Sequence, residues 1–273
     1  MLSSQTKVAG SPCSFASVTS SDKVVSSLSE DERKSFSTCL FLTTCARKLD
    51  LSSITWCTSC WLFHKFSSAV GSEDYDEYMA AMASIFLACK IDDSPIKIRD
   101  VINVAYRTLH PDRPFLEINE TYSQLVDSLI QFELFLCRIL RFQLSYDNPH
   151  KYLLHYLRSL CDWLYPRQET QTFCKMAWAL LHDCHYSKMC VTSRPDHLAL
   201  TVCYIALEAL QMKVPLEEHC EKSWWKLLTH NLARRDNSLP HNVSVFVDDI
   251  QLSDITLLAD QMLLLIENER FIK

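Results

Sequence analysis

The sequence predicts an all-α protein: two helical domains of the same kind in tandem, behind a flexible N-terminal tail. Three observations predict it. Gly10 and Gly71 are the only glycines in 273 residues, where average usage is about 7%. Apolar residues recur at helical rather than alternating spacing. A run of small apolar residues in the first half is echoed in the second.

Glycine scarcity excludes whole classes of chemistry. Phosphate-cradling loops and dinucleotide-binding turns need glycine where the backbone approaches the anion. The strained Gly-x-Ser-x-Gly elbow of a serine hydrolase cannot be written either, and tight hairpin turns lack their usual residue. No catalytic residues are assigned, and no cofactor or small-molecule substrate is expected. The net charge of -6 counts against a surface that grips nucleic acid through its phosphates. No stretch reaches the roughly 18 apolar residues of a membrane span, and the N-terminus lacks the basic-then-apolar layout of a secretory signal. The expectation is an intracellular protein of the nucleus and/or cytoplasm, its 13 cysteines reduced and mostly small core hydrophobes.

The elements follow in order. Residues 1–29 are rich in Ser, Thr and Val without a sustained period and read as a tail. From Glu30 a helical pattern begins, with Phe36, Leu40, Phe41 and Cys45 on one face, then Trp56, Cys60, Phe63 and Phe66. After Gly71, the acids of Asp74-Tyr75-Asp76-Glu77 suit a helix N-terminus. Met79 to Ile91 is small and apolar all round, the mark of a buried central helix, and Asp92-Asp93-Ser94-Pro95 stops it. A shorter helix spans Lys97 to Leu109 and breaks at His110-Pro111-Asp112-Arg113-Pro114. A long one runs from Asn119 to Phe142. Asn148-Pro149 reads as N-cap and first helical residue of the next. Further helices fit Thr170–Tyr186, Pro195–Gln211 and Ser253–Asn268.

Ala81-Met82-Ala83-Ser84-Ile85-Phe86-Leu87-Ala88 matches Ala199-Leu200-Thr201-Val202-Cys203-Tyr204-Ile205-Ala206 in size and polarity. Each has about two helices before it, which implies one kind of domain used twice. The domains span 30–146 and 147–273.

Two charges interrupt the apolar pattern. Lys90 ends the buried helix one turn after Phe86 and Leu87, and Glu133 lies among Leu129, Ile130, Leu136 and Cys137. Charges enter apolar stripes when they are paired or face a partner. The pattern alone leaves both that reading and a solvated polar strip open.

Leu87-Ala88-Cys89-Lys90-Ile91-Asp92-Asp93 and Glu133-Leu134-Phe135-Leu136-Cys137-Arg138-Ile139-Leu140-Arg141-Phe142 resemble segments of the cyclin box. Arg99-Asp100-Val101-Ile102-Asn103-Val104, the run from Asn148-Pro149-His150-Lys151 to Leu157, and Ser223-Trp224-Trp225 are similar to the cyclin Q group, also called cyclin M. The resemblance covers about Glu30 to Asn231 and the last helix. It implies two tandem cyclin boxes, the first binding a cyclin-dependent kinase in a heterodimer and activating it, with the kinase-ten type as partner. It places Lys90 and Glu133 together on the kinase-binding face, with Leu87, Ile91, Leu134, Cys137 and Phe142 as apolar contacts. A cyclin-fold transcription factor, or a scaffold without kinase activation, is the alternative. Three departures stand out. The first box helix lacks the Met-Arg-x-Ile-Leu sequence that holds substrate docking peptides. Ser37–Trp61 is divergent. A polar loop is inserted at 232–251, where Val243-Ser244-Val245-Phe246-Val247 reads as a docking segment or a strand-like piece. Glu208 stands near the second-domain counterpart of Lys90, so the second box is not expected to repeat that face.

Two other patterns imitate chemistry. Trp56-Cys57-Thr58-Ser59-Cys60 has thioredoxin-like spacing, but inside a helical pattern without the strand that chemistry needs. His182, Cys184, His185 and Cys190 approach metal spacing without a convincing second ligand pair. Both read as packing, and no metal is expected.

Overall fold

A computed structural model describes residues 30–70, 75–114, 116–164, 167–214, 224–225, 228 and 250–272. The expected tail at 1–29, residues 232–249 of the expected insertion and its Val243–Val247 run lie outside the described residues. Among the described residues every regular element is helical.

The first half holds α1 (Glu30–Lys48), α2 (Ser53–Val70), α3 (Glu77–Ile91), α4 (Ile98–Leu109) and α5 (Glu120–Ile139). Their ends are written in the sequence. α1 starts on Glu30, Asp31 and Glu32 and finishes on Arg47 and Lys48, each charge opposing the local end of the helix dipole. Asp76 accepts the Tyr78 backbone N–H at 2.9 Å, capping α3. Asn119 does the same for α5 through the Tyr122 N–H at 3.1 Å.

The hub is α3. Ala80, Ala81, Ala83, Ile85 and Ala88 have no exposed surface, and the small residues let α1, α2 and α5 approach it closely. A side chain larger than alanine at Ala83 has no room, and such overpacking costs about 1–3 kcal/mol. Around α3 gather Phe36, Leu42, Phe63, Phe66, Leu129 and Leu136, forming the first core.

A second core surrounds α9 (Pro195–Ala209), the counterpart of α3 in the sequence echo. It packs against α6 (His150–Trp163), α7 (Arg167–Asp183) and α10 (Leu252–Ile272). A 3₁₀ turn at Cys184–Tyr186 and the short α8 (Met189–Thr192) complete the segment between α7 and α9. These two pieces also meet α2. Tyr186 enters the first core, and Leu265 of α10 packs on it, so the cores share a boundary.

Element existence and type agree with the expectations, while several ends move. The helix expected from Thr170 to Tyr186 starts at Arg167 and tightens into the 3₁₀ turn at Cys184. α6 begins one residue later than expected, with Pro149 at the cap. Asn148 still supplies the capping oxygen, accepting the His150 backbone N–H at 3.0 Å. α5 stops at Ile139 instead of Phe142 because Arg141 and Phe142 turn to positive φ, 51° and 55°.

Candidate functional site

The two misplaced charges meet. Lys90 Nζ donates to Glu133 Oε1 at 2.6 Å and to Oε2 at 2.8 Å, joining the C-terminal turn of α3 to the middle of α5. The ammonium also lies 4.1 Å from the centroid of the Phe86 ring, one turn back on its own helix. That contact adds a cation–π attraction. The lysine side chain is 47% exposed and the glutamate 12%. A half-exposed pair of this kind contributes about 0–1 kcal/mol to stability, because water screens it. Its two donated hydrogen bonds fix the carboxylate's orientation, which is what a receptor for another chain needs.

The surrounding surface is apolar. On α5, Ile130 and Leu134 stand one turn apart at 42% and 51% exposure, on the same face as Glu133. Phe135 is also exposed, and Phe142 is 68% exposed. The two left-handed residues lift Phe142 out of the fold. The Phe142 N–H donates back to the Cys137 carbonyl at 2.9 Å and the Arg141 N–H to that of Arg138 at 2.9 Å, closing the end of α5. Such a conformation costs a residue other than glycine about 1–2 kcal/mol, and strain of this kind gathers at binding surfaces. Beside this surface lies an open hollow of about 520 Å³, lined by Met79, Phe132, Leu134, Phe135 and Arg138 among others.

The seven residues expected on this face therefore divide. Lys90, Leu134 and Phe142 reach the surface, and Ile91 and Glu133 are half-buried. Leu87 and Cys137 lie in the first core, beneath the pair. Burial pushes the Cys137 thiol up, and the Glu133 carboxylate adds to the effect. The sequence reading passed over Phe86, Ile130 and Phe135 as members of this surface. Ile130 was legible: it stands four residues before Leu134 and three before Glu133.

The two imitations of chemistry also resolve. Cys57 and Cys60 are buried inside α2, and burial holds both thiols well above their ordinary range. Thiolate chemistry needs the opposite shift. His182 stacks on Trp56 with ring centroids 3.8 Å apart. Cys184 and Cys190 donate to the carbonyls of Leu180 and Ser187.

Instead, Cys57, His150 and His185 bring one sulfur and two ring nitrogens within 4.8 Å of one another. Existing bonds engage three of the four imidazole nitrogens, and His150 Nε2 is buried without a partner among the described residues. His185 Nδ1 sits 3.0 Å from the Leu181 carbonyl, which only accepts, so that nitrogen carries the proton. Its Nε2 then accepts from the Tyr146 hydroxyl at 2.8 Å. His150 Nδ1 is held by Asn148 Oδ1 at 2.8 Å. This is a hydrogen-bonded core at the boundary of the two halves.

The chain is similar to known proteins. The family model described as "Cyclin, N-terminal domain" matches residues 14–145, which include α1 to α5 and the Lys90–Glu133 pair. The chain is 25% identical to Cyclin-T1-4 of Arabidopsis thaliana over 198 residues, 71% of this chain and 35% of that protein. It is 30% identical to Cyclin-L1 of Homo sapiens over 177 residues, 63% of this chain and 32% of that one. The chain thus spans about a third of the length of these relatives. Two solved structures share its fold. One is a chain of the CAK complex of Chaetomium thermophilum bound to ATP-γ-S: TM-score 0.59, 16% identity, covering 88% of this chain and 65% of that chain. The other belongs to the yeast RNA Pol II CTD kinase CTDK-1 complex: TM-score 0.57, 20% identity, covering 84% and 76%.

Proposed function

Since the chain belongs to the cyclin family, we propose that it is the regulatory subunit of a cyclin-dependent protein kinase, binding and activating it through the surface around Lys90 and Glu133. One observation carries the reading: an oriented ion pair set among exposed apolar side chains on two adjacent helices. Exposed apolar residues on a soluble protein, gathered around a fixed charge, mark a protein interface.

The mechanism follows from kinase physics. A protein kinase works only when the glutamate of its regulatory helix pairs with the catalytic lysine. A subunit packed on that helix holds it inward. Ile91, Ile130, Leu134 and Phe142 supply apolar contact in this proposal. Lys90 and Glu133 take polar groups around the helix, while Leu87 and Cys137 support them from the core. An interface of this regulatory kind buries on the order of 2,000 Å² or more. The chain itself performs no chemistry in this reading.

The two cores, each around one small-apolar helix, support two boxes in tandem, divided between residues 146 and 147. The kinase-ten type is the partner we propose, on the Asn148-Pro149-His150-Lys151 run and the other segments similar to the cyclin Q group. Among the described residues no helix is long and apolar enough to cross a membrane. An intracellular setting, nuclear or cytoplasmic, goes with this partner.

The test is co-expression with a panel of cyclin-dependent kinases, capture on the tagged chain, and phosphorylation of a generic peptide. The wild type is compared with a Lys90→Ala, Glu133→Ala double variant. Capture and activation by the wild type, lost in a folded double variant, is the expected result. A folded wild type that retains no kinase overturns the proposal.

A further inference from the structure

We propose that Cys161 and Cys174 are a redox-modification site, closing to a disulfide between α6 and α7 when the chain meets a hydroperoxide. The inference concerns the second half of the chain and does not depend on the kinase face.

Two independent observations point to this pair. The Sγ atoms of Cys161 and Cys174 stand 3.4 Å apart, in van der Waals contact. A disulfide needs about 2.05 Å, a difference of the size that small side-chain rotations cover. The second observation is access. Cys161 and Cys174 are half-buried, whereas every other cysteine among the described residues is buried. Among the described residues, the thiols an oxidant reaches are therefore the thiols already touching each other. The pair also lies on successive helices, so the cross-link closes only the short stretch of chain between them.

The chemistry balances with one equivalent of peroxide. A thiolate attacks the peroxide O–O bond, giving a sulfenic acid and releasing hydroxide, which becomes water on taking up a proton. The sulfur of the second cysteine then attacks the sulfenic sulfur. The S–S bond forms, the S–OH bond breaks, and the thiol proton leaves with the hydroxyl as a second water. Two thiols are oxidised and one peroxide is reduced. The two sulfurs are in contact, so whichever is oxidised first is resolved by the other. In a reducing cell, thiol–disulfide exchange with glutathione reverses the cross-link.

The full chain is purified under reductant, desalted and treated with equimolar hydrogen peroxide. The expected result is a loss of two hydrogens by intact mass, a Cys161–Cys174 linked peptide after digestion, and a Tm raised by about 6 °C or more. Dithiothreitol returns both mass and Tm to their starting values. In either single variant, Cys161→Ser or Cys174→Ser, the sulfenic acid of the remaining cysteine lacks its resolving sulfur and is trapped by dimedone. In Cys174→Ser the linked peptide is absent. The double variant Cys161→Ser, Cys174→Ser keeps the reduced wild-type Tm and does not respond to peroxide, which separates the cross-link from a folding defect. The proposal is overturned by a linked peptide elsewhere, by a dimedone adduct persisting in the wild type, or by no change at a dose that oxidises free glutathione.

Discussion

Lys90 Nζ holds both carboxylate oxygens of Glu133, at 2.6 and 2.8 Å, and the acid of the pair lies deeper than the base. That asymmetry separates what the pair does for the fold from what it does for a partner. Lys90→Ala leaves Glu133 with water still within reach, so the loss of stability is about 1 kcal/mol or less. Once a partner covers the surface, the same lysine is desolvated, and losing it costs about 2–5 kcal/mol of affinity, or roughly 30- to 5,000-fold. The check is kinase capture by titration beside thermal melting of the free chain. A variant that melts at wild-type temperature and binds undiminished removes Lys90 from the interface.

Neighbouring positions on α5 separate surface from core. Leu134 is 51% exposed and Leu136 has no exposed surface. Leu136→Ala opens a cavity in the first core and lowers stability by about 2–5 kcal/mol. Leu134→Ala changes the melt by far less, while kinase capture weakens. Urea midpoints and capture measured on both variants give opposite rankings if Leu134 belongs to the interface.

Phe142 pays for its position in backbone strain, with φ at 55° and its ring 68% exposed. Glycine adopts that conformation freely. Phe142→Gly is therefore expected to leave the melting temperature unchanged or slightly raised while reducing kinase capture. The opposite pattern, a destabilised chain with intact capture, means that the ring serves the fold.

How much of this was legible in the sequence differs by level. The central helix α3 was legible because a run of alanines among larger apolar residues has one stable environment, the interior. The second core was visible as an echo for the same reason. Lys90 and Glu133 were conspicuous as charges in apolar stripes, but their 2.6 Å contact is a tertiary relation between residues 43 positions apart, and no local period reports it. The left-handed residues at Arg141 and Phe142 were hidden because neither is a residue type that announces positive φ. The buried cluster at Cys57, His150 and His185 joins three separate elements. The sequence instead offered the His182–Cys190 spacing, whose residues the fold divides among α7, the 3₁₀ turn and α8.

Tyr146 links the halves at one atom. Its hydroxyl donates to His185 Nε2 at 2.8 Å, and its ring stacks on Trp61 with centroids 5.0 Å apart. Tyr146→Phe keeps the stacking and removes the donor, leaving a buried acceptor unpaired. That costs about 1–3 kcal/mol. The measurement is the urea midpoint of the full chain, and an unchanged midpoint means that water replaces the hydroxyl.

Acid should loosen the same boundary. Burial is the largest cause holding His64 and His150 down to about 4, and His185 to about 3, from the ordinary 6.5. All three are therefore neutral in the folded chain at pH 6, while the unfolded chain protonates them. Stability from this source is complete above about pH 6.5 and falls as the pH drops through the window toward 4. Below about pH 3 the folded state takes up the protons too and the loss levels off. Within the window each histidine contributes a slope of up to about 1.4 kcal/mol per pH unit. Unfolding midpoints at pH 7.5, 6 and 5 measure the sum, and His64→Gln should remove one share of the slope. Carboxylates protonate mostly below pH 5, so a decline already present between pH 6.5 and 5 belongs to the histidines. A midpoint that stays flat across that interval shows that they do not bury neutral at the boundary.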